Sequence, residues 1–596
     1  MKTRPLALTL FLLAATGVPA LAAAPATAPG VPYASSRTGK YAIALSATAE
    51  LAPARITLLW LPVAAPCEVF RRTSDEAAWT KLTATPLPVD VARFADTAVA
   101  AGIAYEYRVI STTRPAAHGF VSSGIALPAV EDRGRLLLLV EAEIGKALAP
   151  ELAQLASDLA GDGWAVVRHD VARDLPVAKV KELIARVNGA APRGLRALYL
   201  FGQIPTPYSG NLAPDGHPDH RGAWPADGFY ADLDGAWTDA SVSADVKSPR
   251  QRNMPGDGKF DQNAVPSALE LEVGRVDLAG MTNFPSKTEI DLLRHYLAKA
   301  HAYRHKQRTY PPTAVIADNF GAFNGSAFAA TGWRSFPPLV GAANVTELRP
   351  GDAAGFAAAV TGAGHTWVYC CGPGSYGSVG GVTTTDDFRK RAMRAPFWIT
   401  FGSYFGDWAA ADVVLRAPLA GSDGLANCWS GFPLWFFHPL ATGQTLGHCA
   451  RLSINNGGIG APYPVNPGAR GVHMALMGDP TLRMYPVAPA TDLTARRAPG
   501  RVSLAWQASP DAVLGYHVYR APTPAGPYTR ATRQPVKATT FEDAQPVGPN
   551  GAYMVRAVLL ETTPSALFYN LSQGVFDVPP ARFAPPTTAP AQNGKG

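Results

Sequence analysis

The sequence predicts a multidomain protein of class α/β plus all-β: a central three-layer α/β domain with a mostly parallel sheet, flanked by two immunoglobulin-like β-sandwiches. Residues 31–128 carry short alternating runs ("ARITLLWLPV", "CEVFRRT", "WTKLTA", "AYEYRVISTT") broken by Pro, Asp and Gly clusters, the spacing of a small sandwich. The same grammar returns over 488–577 in "GRVSLAWQAS", "GYHVYRAPTPAGPYTR", "TTFEDAQP" and "AYMVRAVLL". Between them, 132–485 alternates continuous apolar runs with stretches of helical period, which is the pattern of parallel strands joined by helices.

In chain order, "MKTRPLALTLFLLAATGVPALAAAPA" reads as an export signal over 1–22: Lys2 and Arg4 head an apolar core, and Ala20-Leu21-Ala22 gives a small-residue cleavage pattern. No later segment approaches the ~20 apolar residues needed to span a bilayer, so no transmembrane segment is expected after signal removal. The expected location is secreted, periplasmic or cell-surface. "RLLLLVEA" is a buried strand, "PELAQLASDLAGDG" a helix with a glycine stop, "WAVVRHDV" a strand, "VAKVKELIARVNGA" a helix and "RALYLFG" a strand, in the βαβαβ order of a parallel sheet. Further along come the helix "KTEIDLLRHYLAKAHAYRHK", the strand "TAVIADNF", the helix "DAAGFAAAVTGA" and the strands "HTWVYCCG" and "APFWITFGS". The segment 578–596, rich in Pro, Ala and Thr, reads as a disordered tail.

The formal charge is +7, but the basic residues fall in scattered runs such as "RHKQR" (304–308) and "RKRAMR" (389–394), which read as solvated helix faces; no nucleic-acid partner is expected. Five cysteines are too few for a disulfide framework. Cys370 and Cys371 point to opposite faces of a strand, and a bridge from one of them to Cys428 or Cys449 stays open. Asn324 and Asn570 satisfy the glycosylation acceptor pattern.

Trp60 with "VFRR" and "YEYRV", and Trp506 with "YHVYR" and "YMVRAV", resemble fibronectin type III domains. In the middle, "ALYLFGQIPTPYSG", "ADGFYADLDGAWTD", "LELEVGRVDLAG", a helix carrying Lys299 and Tyr303, and "ALMGDPTLRMY" resemble the catalytic domain of gingipain-type cysteine peptidases, a secreted branch of the caspase-like fold. The resemblance implies a Gly-His-Gly turn supplying a general base and a cysteine at the end of the next strand. At those places this chain has Pro373 and Ser403. A serine hydroxyl needs an adjacent base, and proline offers none. The implied expectation is therefore a degenerate dyad and a non-enzyme. Its sheet edge, with Gly372, Gly374, Ser375, Tyr376, Tyr404, Phe405, Asp407 and Trp408, would bind an extracellular protein, peptide or glycan. The alternative is an active secreted cysteine-type endopeptidase using Cys370 or Cys371, or a hydrolase using Ser403, with a base from elsewhere such as His438 or His448. His365 is ruled out, since it lies at the far end of the Cys370 strand.

Carboxylates cluster around glycine at Asp232, Asp234, Asp239, Asp257, Asp261, Glu270 and Glu272, a set suited to structural Ca²⁺; no organic cofactor is expected. Asp215, His217 and His220 share one loop with Asp219 and are of types that hold Zn²⁺. His301 and His305, one helical turn apart, form a weaker metal pattern.

Overall fold

A computed structural model describes residues 30–580 apart from 75, 77, 114–116, 324–325, 458–460 and 549. The export signal at 1–22, all but the first three residues of the tail at 578–596, and the acceptor Asn324 lie outside the described residues.

The centre is one ten-stranded sheet. Its strands are β1 (Gly134–Glu141), β2 (Trp164–Val171), β3 (Leu195–Phe201), β4 (Glu272–Val276), β5 (Ala314–Asp318), β6 (Val345–Glu347), β7 (Trp367–Cys371), β8 (Phe397–Phe401), β9 (Ala426–Trp429) and β10 (Ala475–Gly478), in the spatial order β6-β5-β7-β8-β9-β10-β4-β3-β1-β2. Leu136 to Val140 are wholly buried, which is why β1 reads as an unbroken apolar run: both faces of the sheet are covered. Every neighbouring pair is parallel except β9 and β10, where Ala426 faces Gly478 and Trp429 faces Ala475. The sheet is thus two parallel halves running in opposite directions. The carboxyl ends of β7 and β8 consequently stand at the edge where β4 begins. The long excursion 202–271 between β3 and β4 has to arrive at that edge.

Helices α1 (Ala149–Gly161), α2 (Val177–Gly189), α3 (Glu289–Arg304), α4 (Ala353–Thr361) and α5 (Leu446–Ile454) join and cover the strands. In α1 the spacing of Leu152, Leu155 and Leu159 makes one buried stripe. Thr288 and Asp291 close a reciprocal capping box at the start of α3.

Each flanking unit is an antiparallel sandwich of a three-stranded sheet on a larger one, four-stranded in the first unit and five-stranded in the last, where Val575–Phe576 adds to Ala552–Thr562. The first packs Leu45–Leu51, Ala54–Trp60 and Arg93–Asp96 against Thr80–Lys81, Cys67–Thr73, Ala104–Ser111 and His118–Gly124. The last repeats that order with Thr491–Ala498, Arg501–Gln507 and Thr540–Asp543 against Thr529–Arg530, Gly515–Ala521, Ala552–Thr562 and Leu567–Leu571. Trp60 and Trp506 are buried in the two cores, and Arg501–Gln507 alternates exposed and buried side chains without a break.

Neither sandwich hangs free. Glu106 of the first accepts from His438 Nε2 at 2.5 Å, from Tyr463 Oη at 2.5 Å and from Arg72, all buried. The two sandwiches also touch each other through backbone bonds Leu127 N to Leu567 O at 3.0 Å and Tyr569 N to Leu127 O at 2.9 Å.

A buried ionic knot ties α1, α3, the end of β10 and the last sandwich. Arg304 donates to Asp162 and Asp479, both at 2.5 Å, while Arg483 donates to Asp162 at 2.9 Å and to Asn570 Oδ1 at 2.7 Å. Burial pushes the Asp162 carboxyl up, but Arg483, Arg304, Arg133 and Arg556 outweigh it and hold it far below the usual range. A depressed carboxyl stabilises the fold fully above its unfolded-state value of about 3.9. That stability is lost as the pH falls from there through the folded value. Denaturant melts between about pH 5 and about pH 2 should show this acid limb. Asp162→Asn should be less stable at neutral pH and have a flatter limb.

Three expectations are corrected here. All five cysteines are free and buried, so no bridge joins Cys370 or Cys371 to Cys428 or Cys449. Asn570 is buried and bonded to Arg483, which closes it to glycosylation. Of the basic runs read as solvated faces, 304–308 is only partly one, since Arg304 is buried, whereas Arg389, Lys390 and Arg391 are exposed and pair with Asp386 and Asp387.

Candidate active site

Adjacent parallel strands β7 and β8 end level with each other, Cys371 opposite Phe401. Beyond them stand the turns Gly372-Pro373-Gly374 and Gly402-Ser403-Tyr404. The two turns are in contact: a Cβ on Gly374 would meet Ser403 N at 2.6 Å and Ser403 O at 2.8 Å, so only glycine fits there. Pro373 is exposed and its carbonyl accepts from Gly380 N at 2.7 Å, which folds the glycine-rich segment back on itself.

The expectation that Ser403 lacks a base is corrected by the excursion between β3 and β4. His217, 186 residues upstream, places its Nε2 2.8 Å from Ser403 Oγ. The serine is half-buried and the imidazole exposed. Asp215 fixes the loop that carries this histidine. Its carboxylate accepts from His217 N at 3.3 Å, meets His220 Nδ1 at 2.5 Å and accepts from Tyr404 N at 3.0 Å. The last bond joins the histidine loop directly to the backbone after the serine.

Tyr404 has φ +71°, a left-handed conformation uncommon for a non-glycine residue. Its amide is held by Asp215 and its ring lies against His220 (centroids 3.6 Å apart) and Tyr376 (4.8 Å apart). Strain over-determined in this way, one residue past a serine bonded to histidine, is the kind that accumulates at active sites. Burial, then Asp219 and Asp215, raise the Tyr404 phenol above its usual range. Among the described residues no group bonds His217 Nδ1, so the constellation is a dyad rather than a triad.

Below the dyad, Asp407 is fully buried and its Oδ2 accepts from Tyr376 Oη and Arg250 Nη2, both at 2.9 Å. The expected aromatic cleft is therefore narrower than the sequence suggested. Tyr376 and Tyr404 line the surface, while Phe405 and Trp408 are core residues, the latter beneath the Arg275 guanidinium. Ser375 is exposed and meets Ser378 Oγ at 2.8 Å.

The cysteines do not compete as nucleophiles. Cys370 and Cys371 are wholly buried, and burial pushes both thiols far up; Cys371 Sγ donates to Asp318 Oδ1 at 3.3 Å. His365 pairs with Thr313, His438 belongs to the Glu106 network, and His448 is held neutral by burial. Thiol-directed reagents should leave the native chain unlabelled at pH 8 and modify all five cysteines after denaturation, as intact mass would report.

The acidic set divides. Asp232, Asp234 and Glu270 converge, although Asp232 already accepts from Ser267 Oγ, Gly235 N and Trp237 Nε1. Asp239 instead caps Gly256 and Gly258, Asp257 binds the amides of Met254 and Lys259, Asp261 gathers the amides of 240–242, and Glu272 pairs with Arg196 and Thr445. Within the Asp215, His217 and His220 loop, the two histidines are directed to different partners, Ser403 and Asp215. The sequence singled out this loop for its residue types, and only tertiary contact discloses its link to Ser403.

No protein-family model matches the chain, and no curated protein matches it. Among solved structures, the Arg-specific cysteine proteinase gingipain R is similar over 75% of this chain and 99% of its own, at 13% identity and a TM-score of 0.44. An Fn3-like protein from Clostridium thermocellum is similar over 14% of this chain and 93% of its own, at 25% identity and a TM-score of 0.12. Pectate lyase PelI from Erwinia chrysanthemi covers 17% of this chain and 32% of its own, at 17% identity and a TM-score of 0.12. These likenesses are distant, and the architecture is that of the strand order and registers given above.

Proposed function

We propose that the chain is an exported hydrolase of acyl bonds, of caspase-like architecture, with Ser403 as nucleophile and His217 as general base. The observation that carries this reading is the 2.8 Å contact between Ser403 Oγ and His217 Nε2 at the carboxyl edge of β7 and β8. The hydroxyl donates to Nε2, and on attack at a carbonyl carbon its proton passes to that nitrogen. The resulting imidazolium then protonates the departing amine or alcohol, leaving an acyl ester on Oγ. Water that gives its proton to Nε2 cleaves the ester and restores the serine. The resemblance of the central motifs to gingipain-type peptidases favours a peptide substrate, and the export signal favours an extracytoplasmic one. The two sandwiches, read as fibronectin type III modules, support the central domain. Structural Ca²⁺ stays with this reading only at Asp232, Asp234 and Glu270.

A fluorophosphonate probe on the full chain, with digestion of a mixed peptide library, tests the reading. Stoichiometric labelling that disappears in Ser403→Ala is the expected result. Absence of both labelling and cleavage, with saturable binding to a secreted protein or glycan, would instead support a non-catalytic recognition cleft at Gly372, Gly374, Tyr376 and Tyr404.

A further inference from the structure

Remote from the dyad, α1 and α3 bring together a set of side chains that the hydrolase reading does not use. His301 and His305 stand one turn apart on the last turn of α3 and its cap, with ring centroids 4.1 Å apart. Both point at the same carboxylate: His301 Nδ1 lies 2.9 Å from Asp158 Oδ2, and His305 Nε2 lies 3.0 Å from Asp158 Oδ1. Asp158 is buried in α1, while the two imidazoles are partly open to solvent, at 30% and 17% exposure.

We propose that Asp158, His301 and His305 form a binding site for a divalent transition-metal ion of the Zn²⁺ class, bridging α1 and α3. Three features favour it. The donors are two imidazole nitrogens and one carboxylate oxygen, a combination typical of zinc, and all lie within 4.8 Å of one another. Ligands at 2.0–2.1 Å in tetrahedral array stand about 3.3 Å apart, so the observed N···O separations need to open by only a few tenths of an ångström. Gln154 Nε2, 3.0 Å from Asp158 Oδ1, already orients the carboxylate from outside the set.

The ion would also sit at the carboxyl end of α3, where the unsatisfied carbonyls favour positive charge. Nearby cations do not block it. Arg304 is engaged by Asp162 and Asp479, and Lys306 by Asp511 at 2.9 Å. Each imidazole would ligate in its neutral form through the nitrogen that faces Asp158, its ring proton carried on the opposite nitrogen, and a water would complete the coordination on the open side.

The test is titration of metal-stripped full-length protein with Zn²⁺ by calorimetry and with Co²⁺ by visible absorption. One equivalent bound, d–d bands of a tetrahedral N,O site and a raised Tm are expected. His301→Ala and Asp158→Asn should each weaken binding by at least about 10-fold. His217→Ala, which alters the other histidine loop, should leave the stoichiometry at one. Far-UV dichroism of each variant separates lost binding from lost folding. Failure to bind either ion, or loss of the equivalent in His217→Ala rather than in His301→Ala and Asp158→Asn, would overturn the proposal.

Discussion

Replacing His217 with alanine is expected to lower turnover of a peptide or ester substrate by about 10²–10⁴-fold, with little change in KM. Among the described residues the serine hydroxyl bonds His217 Nε2, and the neighbouring turn presents Pro373, which cannot accept a proton. Because base and nucleophile act as a unit, Ser403→Ala and the double variant should both fall to nearly the same residual rate rather than multiply their losses. Asp215→Ala should also lower turnover while keeping both dyad side chains, because it frees the loop that positions His217 from Tyr404 N and His220. Initial rates for wild type and the four variants, with fluorophosphonate labelling as a readout independent of substrate, decide the matter. Equal rates in wild type and His217→Ala would remove the dyad from the chemistry.

The second large effect lies in the ionic knot. Arg304→Met is expected to destabilise the chain by about 3–5 kcal/mol, because it leaves the buried Asp479 without its guanidinium and takes from the buried Asp162 one of its two, Arg483 remaining. Burial alone would lower the guanidinium, but Asp479 and Asp162 hold it firmly charged, and Thr481 Oγ1 accepts a further bond at 2.6 Å. Removing one side of such a network leaves uncompensated charge in the interior. Removing both sides is milder. Asp479→Asn placed in the Arg304→Met background should therefore add less than it costs alone, and chemical denaturation of the four-member cycle would measure the coupling.

The longer periodic segments were legible in the sequence. Helices α1, α2, α3 and α4 and strands β1, β2, β3, β5, β7 and β8 fall where hydrophobic period and glycine stops put them. Strands β6 and β9 were not legible, because β6 is three residues long and β9, "ANCW", is a short apolar run like many buried turns. The site was half legible. Ser403 was found from its place at a strand end, and the loop of Asp215, His217 and His220 from its residue types, but nothing local in either segment links them. The link depends on the one antiparallel seam in the sheet, which turns the start of β4 toward the ends of β7 and β8. A reading that looked for a base only in the adjacent turn could not find a partner contributed by an insertion 186 residues away.

The backbone pairing of Leu127 with Leu567 and Tyr569 has a bearing on how this chain can be cut and recombined. Neither sandwich is an interchangeable cassette, since each supplies main-chain partners to the other across the whole length of the polypeptide. A chimaera that swaps one of them for a foreign module would strand the amide or carbonyl left behind. Shuffling should succeed only when both ends travel together.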